Sequence, residues 1–274
     1  MTNLQRLIKY GAIFLAFSII IGTGIALISA VNILFNMFYS TSPKLTDGKK
    51  IEITNNITNI EIDLKATNLI IERDKKLSAS TNNEKIDYRI RGNTLIITEK
   101  GNKYFTKDIT EDLVIYIPDN HKLEEISLDA GAGSVEFYDI KVDELDLNLG
   151  AGKVELDFVE VRREASIEGG AGNLVITNSE INNLELDMGI GTLELESKLF
   201  GENEISCGVG SSIINLIGND YQITVNKGLG KATISGENVK DGETIGNSRN
   251  TLEIDGGVGS IAIELMEELL VYPQ

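Results

Sequence analysis

Seven Gly-x-Gly triplets begin at Gly131, Gly150, Gly170, Gly189, Gly208, Gly228 and Gly257, in steps of 19, 20, 19, 19, 20 and 29 residues. A period near 20 confines a chain to a solenoid, in which each repeat is one coil stacked on the next. Three residues before each triplet stand Leu128, Leu147, Ile167, Leu186, Ile205, Val225 and Ile254. Six residues after its first glycine stand Phe137, Leu156, Ile176, Leu195, Ile214, Ile234 and Ile263. Ladders apolar in every copy point into a core, where parallel strands ~4.8 Å apart bring each residue onto its equivalent.

The middle residue of the triplet is Ala132, Ala151, Ala171, Ile190, Val209, Leu229 or Val258. A phosphate-cradling loop has no reason to keep this side chain apolar. A coil corner does, with the middle residue turned inward and the glycines permitting the bend. A calcium-binding nonapeptide needs an Asp two residues after its last glycine. Val135, Val154, Leu174, Leu193, Ser212, Ala232 and Ile261 stand there instead. Each coil is thus expected to hold two short strands, with a second turn near Asp139, 157–163, 178–183 and 218–220. Parallel connections favour a right-handed helix. Ten surplus residues in the last step read as a loop protruding at 236–247.

The first half alternates with period 2, as at Ile60, Ile62 and Leu64, at Ile86, Tyr88 and Ile90, and at Leu113, Ile115 and Ile117. These read as strands, and Arg91-Gly92-Asn93 as a hairpin turn. Ile62 to Ile71 aligns with Leu147 to Leu156 as a worn copy of the repeat, with Lys65 and Thr67 in the glycine positions. Atypical end repeats shield a solenoid from water.

No charged side chain lies between Lys9 and Lys44, and 11–31 is almost entirely apolar. About 20 such residues suffice for a transmembrane helix. Arg6 and Lys9 precede the span and Lys44, Lys49 and Lys50 follow it, so the positive-inside bias is weak. The expected arrangement is a retained single-pass anchor, N-terminus inside and body extracytoplasmic. The rival is a cleaved signal peptide, whose apolar region is usually shorter, ~7–15 residues.

Net charge is −17, with five basic residues and one acidic in 1–50 against 20 and 41 in the remainder. An acidic body argues against nucleic acid as partner. One cysteine excludes an internal disulfide, and one histidine with no tryptophan excludes many metal and catalytic arrangements. No metal, cofactor or catalytic residue is expected.

One outward ladder, two residues before each triplet, carries Asp129, Glu168, Asp187 and Asp255. Another, four before, carries Asp146, Glu185, Glu204 and Glu253. Together they form an acidic strip able to collect cations or a basic partner, or simply to keep a repetitive surface soluble. A glycosidase pair could be drawn from it, but spare carboxylates on every coil make any pair uninformative. Cys207 reads as a small buried filler, and His121 as a turn residue.

An N-terminal span, an Ile-x-Ile-x-x-x-x-x-x-Leu-x-Ile strand pair, a strand ending in Ile117-Pro118 and the glycine repeat together resemble the putative-adhesin β-strand-repeat family of bacterial envelope proteins. The resemblance covers about 51–265. It implies a membrane-anchored β-helix of the cell envelope, often encoded with envelope-stress or membrane-sensor genes, and it carries no catalytic residues.

The expected organisation is a transmembrane segment (1–42), a linker (43–50), an irregular starting β portion (51–127), a regular all-β right-handed parallel β-helix (128–265) and a C-terminal cap (266–274). The expected function is a non-enzymatic, adhesin-like binding module or envelope-stress accessory acting on an unidentified envelope or surface component. A polymerising scaffold resembling bactofilins and a polysaccharide-active enzyme are the alternatives.

Overall fold

A computed structural model describes residues 48–51, 53, 56–101 and 111–267, within the compact unit of residues 42–274. The apolar span at 11–31 and the end of the expected cap, 268–274, lie outside the described residues. No helix among the described residues is long and apolar enough to cross a membrane.

The strands are β1 (Lys49–Ile51), β2 (Asn59–Leu64), β3 (Asn68–Asp74), β4 (Ser78–Thr81), β5 (Ile86–Arg91), β6 (Thr94–Glu99), β7 (Asp112–Pro118), β8 (Leu123–Tyr138) and β9 (Lys141–Asp157). They continue with β10 (Glu160–Asn182), β11 (Leu184–Phe200), β12 (Glu202–Ile217), β13 (Gln222–Asn226), β14 (Leu229–Ile234), β15 (Glu237–Asn238), β16 (Glu243–Gly246) and β17 (Thr251–Met266). All 17 belong to one hydrogen-bonded sheet. The all-β solenoid expected from the repeat is therefore the fold.

Period-2 alternation sets the inward faces. In β11, Leu184, Leu186, Leu193, Leu195 and Leu199 are buried while Glu185, Asp187 and Glu194 are exposed. At ~1.5–3 kcal/mol for each buried aliphatic side chain, every coil adds substantially to the core. The coil has three inward runs rather than the expected two: Leu145 and Leu147, Val154 and Leu156, then Val159 and Val161. The turn read at 157–163 contains two bends. One is at Phe158, with φ 55°. The other is a bulge at Arg162–Arg163, where pairing with β9 slips by one residue. A short strand lies between them.

The glycines do more than permit a bend. A Cβ on Gly191 would lie 1.7 Å from the carbonyl oxygen of Gly172, and one on Gly210 would lie 1.7 Å from that of Gly191. The same contact recurs from Gly152 on Gly133 to Gly259 on Gly210. Two columns of glycine thus let backbone press on backbone. Gly191 also has φ 151°, which side chains rarely adopt.

The middle residue faces outward, contrary to expectation. Val209, Val258 and Leu229 are 36%, 43% and 72% exposed. Inward alternation runs through Ile205 before the triplet and resumes at Ser212 and Ile214 after it, a slip of one residue across the corner that displaces the apolar residue between the glycines to the outside.

The coils do not stack in chain order. β12 pairs with β17 (Ile205 with Ile254, Gly210 with Gly259), and β17 pairs in turn with β13 and β14 (Val225 with Ile254, Gly230 with Gly259). The triplet at Gly257 therefore lies between those at Gly208 and Gly228. The buried amide of Asn203 helps fix this order: its Nδ2 donates to the Thr251 carbonyl (2.9 Å) and its Oδ1 accepts from the Leu184 amide (3.0 Å). The 236–247 segment is not a free loop. It contains β15 and β16, which pair antiparallel with β14 and β13.

The other end repeats the device. β2 and β3 stack on β8 in the register of the worn repeat, Ile62 on Leu128 and Leu69 on Val135. Outside them lie β6 and β7, which are covered by antiparallel β5 and β4. Nine parallel layers at ~4.8 Å each span about 40 Å. Where Lys65-Ala66-Thr67 replaces a glycine triplet, Glu99 Oε2 accepts from all three backbone amides (2.7, 3.0 and 3.3 Å). Burial pushes this carboxyl's pKa up, but those amides and the Thr67 hydroxyl more than offset it and hold it below the usual range.

Gly191→Ala should lower stability by about 3 kcal/mol or more, since it combines a backbone clash with a disallowed φ. Gly92→Ala, in a turn with open space around it, should cost only the strain of a left-handed residue, about 1 kcal/mol. Urea midpoints measure both, and equal losses would contradict the stacking account.

Candidate functional site

Coil order determines which carboxylates become neighbours. In spatial sequence the ladder four residues before the triplet runs Ser127, Asp146, Ser166, Glu185, Glu204, Glu253, Thr224. The ladder two before runs Asp129, Asn148, Glu168, Asp187, Ser206, Asp255, Asn226. Chain order would leave Thr224 between Glu204 and Glu253. Insertion of β17 instead makes Glu185, Glu204 and Glu253 three consecutive glutamates, with Asp187 and Asp255 in the adjoining ladder. Asp129, Asp146 and Glu168 lie farther along the same strip.

The strip extends beyond the expected residues onto the worn repeat, where Asp63 stands on Asp129 and Glu61 on Ser127. Aligning Ile62 with Leu147 already places Asp63 in the acidic ladder, so the signal was present.

None of the eight strip carboxylates forms an ion pair among the described residues, whereas acids elsewhere do. Asp143 is bound by Arg162 (2.7 Å) and Lys122 (3.5 Å). Its slight burial raises its pKa, but those two cations outweigh this and lower it. At the strip's end Asn226 Nδ2 donates to Asp255 Oδ1 (2.7 Å) and Glu253 Oε1 (3.1 Å), so the surface accepts N–H donors where one is offered.

A shallow open groove runs along the glycine corner beside this strip. Leu149, Met188 and Cys207 lie along its floor, and Glu168, Asp187 and Asp255 along one side. Across the corner the outward middle residues form an apolar ridge, small at Ala132, Ala151 and Ala171 and larger at Ile190, Val209, Val258 and Leu229. The expectation of inward middle residues had hidden this ridge.

Cys207 packs partly against the core, with the Ser212 hydroxyl 3.1 Å from its sulfur, and burial pushes its thiol pKa up. It has none of the electropositive surroundings of a reactive thiol. His121 places Nε2 2.6 Å from the Ile57 carbonyl oxygen and so ties a turn to the first coil. Among the described residues no cluster of three or more His, Cys, Asp or Glu side chains is arranged to hold a metal ion.

Residues 49–238, well over half the chain, match the Toastrack DUF4097 family. The chain belongs to that family. No curated protein matches it. Similar solved structures include one described as a putative cell adhesion protein from Clostridium sporogenes, with 18% identity, TM-score 0.37 and coverage of 80% of this chain and 100% of the other. A Bacteroides fragilis structure described as a putative adhesin has 13% identity, TM-score 0.48 and coverage of 79% and 96%. A Parabacteroides distasonis structure described as a putative lipid binding protein has 17% identity, TM-score 0.40 and coverage of 79% and 96%. The Toastrack match ends within the antiparallel strands that close the far end, before β17.

Carboxylates spaced ~4.8 Å apart repel one another. Glu204→Gln should therefore stabilise the fold by a few tenths of a kcal/mol at low ionic strength. Its advantage should shrink as salt approaches ~0.15 M, where exposed charges are screened over ~8 Å. Thermal melts at two salt concentrations test this. A destabilised Glu204→Gln would mean the carboxylate has a partner.

Proposed function

We propose that this Toastrack protein is a non-enzymatic binding module held at the cell membrane by its N-terminal apolar span, with the β-solenoid outside the cytoplasm. The partner is a basic envelope or surface component, engaged along the acidic strip with the apolar ridge supplying buried contact area. The alignment of Glu185, Glu204 and Glu253, none of them in an ion pair among the described residues, carries this reading. A desolvated apolar centre with charge complementarity at its edge is the usual anatomy of a protein interface. A role as an envelope-stress accessory fits a module that presents such a surface beside the membrane.

The scaffold reading has less support. Polymerisation through coil ends needs open strand edges, and antiparallel strands lie over both terminal coils, a common device against edge-to-edge pairing. The polysaccharide-cleaving reading also has less support, because the strip carboxylates hydrogen-bonded among the described residues, Asp255 and Glu253, share one donor, Asn226 Nδ2, and so are not divided into separate acid and base settings.

Two measurements test the proposal together. Protease added to intact cells should remove a tag placed after Gln274. Crosslinking on the same cells should capture a partner that is lost with the triple substitution Glu185→Gln, Glu204→Gln and Glu253→Gln. A tag protected until lysis, or capture indifferent to the three substitutions, would overturn the corresponding half.

A further inference from the structure

Phe158 occupies a backbone conformation that does not suit it. It has φ 55° at the bend where Asp139 (φ 54°) and Asn178 (φ 51°) stand in neighbouring coils. Asp and Asn tolerate this region, and a bulky residue there costs roughly 1–2 kcal/mol. Only half of the ring is withdrawn from water in return, since Phe158 is 49% exposed. A strained bend that presents a half-exposed aromatic ring points to function.

The ring has a neighbour. Tyr138, 51% exposed, lies with its ring centroid 6.0 Å away and its plane at 78° to that of Phe158. The two form an open aromatic notch with a polar rim. Asp157 is the register partner of Tyr138. Its Oδ1 accepts from Thr177 Oγ1 and Asn178 Nδ2, both at 2.8 Å, which fixes the carboxylate, and its other oxygen makes no hydrogen bond among the described residues. Glu72 is the register partner of Tyr138 on the opposite side. Arg73 contributes donors, with its guanidinium held 3.0 Å from Asp139 Oδ1 and 3.1 Å from Asp119 Oδ1.

We infer that Tyr138 and Phe158 form a docking site for a carbohydrate chain. A pyranose ring presents a flat C–H face to the electron-rich face of an aromatic ring, and its hydroxyls need both acceptors and donors. Asp157 and Glu72 supply the acceptors and Arg73 the donors. A purely cationic ligand would meet the Arg73 guanidinium at the same rim. This site lies at a different bend from the glycine corner and is independent of the proposed basic partner.

The test uses the full chain in nanodiscs with two probes, the tetrasaccharides of β-1,4-linked glucose and of β-1,4-linked N-acetylglucosamine, read by calorimetry and saturation-transfer NMR. At least one should bind, with magnetisation transferred to its pyranose C–H protons. Phe158→Asn replaces the strained residue with the type found at Asn178. It should weaken binding at least tenfold while leaving the melting temperature nearly unchanged, because relieved strain and lost packing are of similar size, a combination that a structural role would not give. Tyr138→Ala should weaken binding similarly, and Tyr138→Phe should retain it. The inference is overturned if neither tetrasaccharide binds, if tetramethylammonium binds in their place, or if Phe158→Asn leaves affinity unchanged.

Discussion

The contact on which this structure depends is a glycine pressed against the carbonyl oxygen of a glycine in the adjoining coil. At the corner, successive backbones come too close for any side chain, and a Cβ on Gly191, Gly210 or Gly259 would fall 1.7 Å from an oxygen below. This explains why glycine appears at both triplet positions in every regular coil, and why the contact relaxes where the first triplet meets the worn repeat, a Cβ on Gly133 lying 3.3 Å from the Thr67 carbonyl oxygen. It also explains the worn first repeat. With Lys65 and Thr67 in those positions no glycine column can continue, so the corner's amides turn to the buried carboxylate of Glu99.

A solenoid must also end, and its last coil presents unpaired backbone to water. This chain handles both ends alike. The outermost parallel layer is covered by short antiparallel strands, β4 and β5 at one end and β15 and β16 at the other. At the far end this requires the chain to build the terminal coil first, lay strands over it and then return to insert β17 inside. The chemistry of the surface follows from that detour, since it brings Glu253 beside Glu204 and Asp255 beside Ser206.

Much of this was legible in the sequence because the inward ladders are set by side-chain type alone. Leu147, Leu156 and their equivalents are buried, and even the worn repeat takes the register its alignment implies. Coil order was not legible, because a Gly-x-Gly coil is equally compatible with any other and neither Gly228 nor Gly257 carries a local mark of its place. The polar contacts that distinguish them, such as Asn203 on the Thr251 carbonyl, are long-range. The direction of the middle residue was misread for a related reason. An apolar residue in an all-β repeat ordinarily signals the core, but the one-residue slip at the corner reverses its face, and Leu229 ends 72% exposed. The aromatic notch left no periodic trace, since Tyr138 and Phe158 occupy different positions in their coils.

The order of the last coils is the central claim, and paired cysteines test it directly. With Cys207 replaced by serine, Val209→Cys combined with Val258→Cys should form a disulfide readily, because the two positions are register partners and adjacent parallel strands lie ~4.8 Å apart, within the Cα range a disulfide accepts. Val209→Cys combined with Leu229→Cys should not, because β17 stands between them. A disulfide in the second pair and none in the first would mean that the coils stack in chain order, and the aligned glutamates would no longer exist.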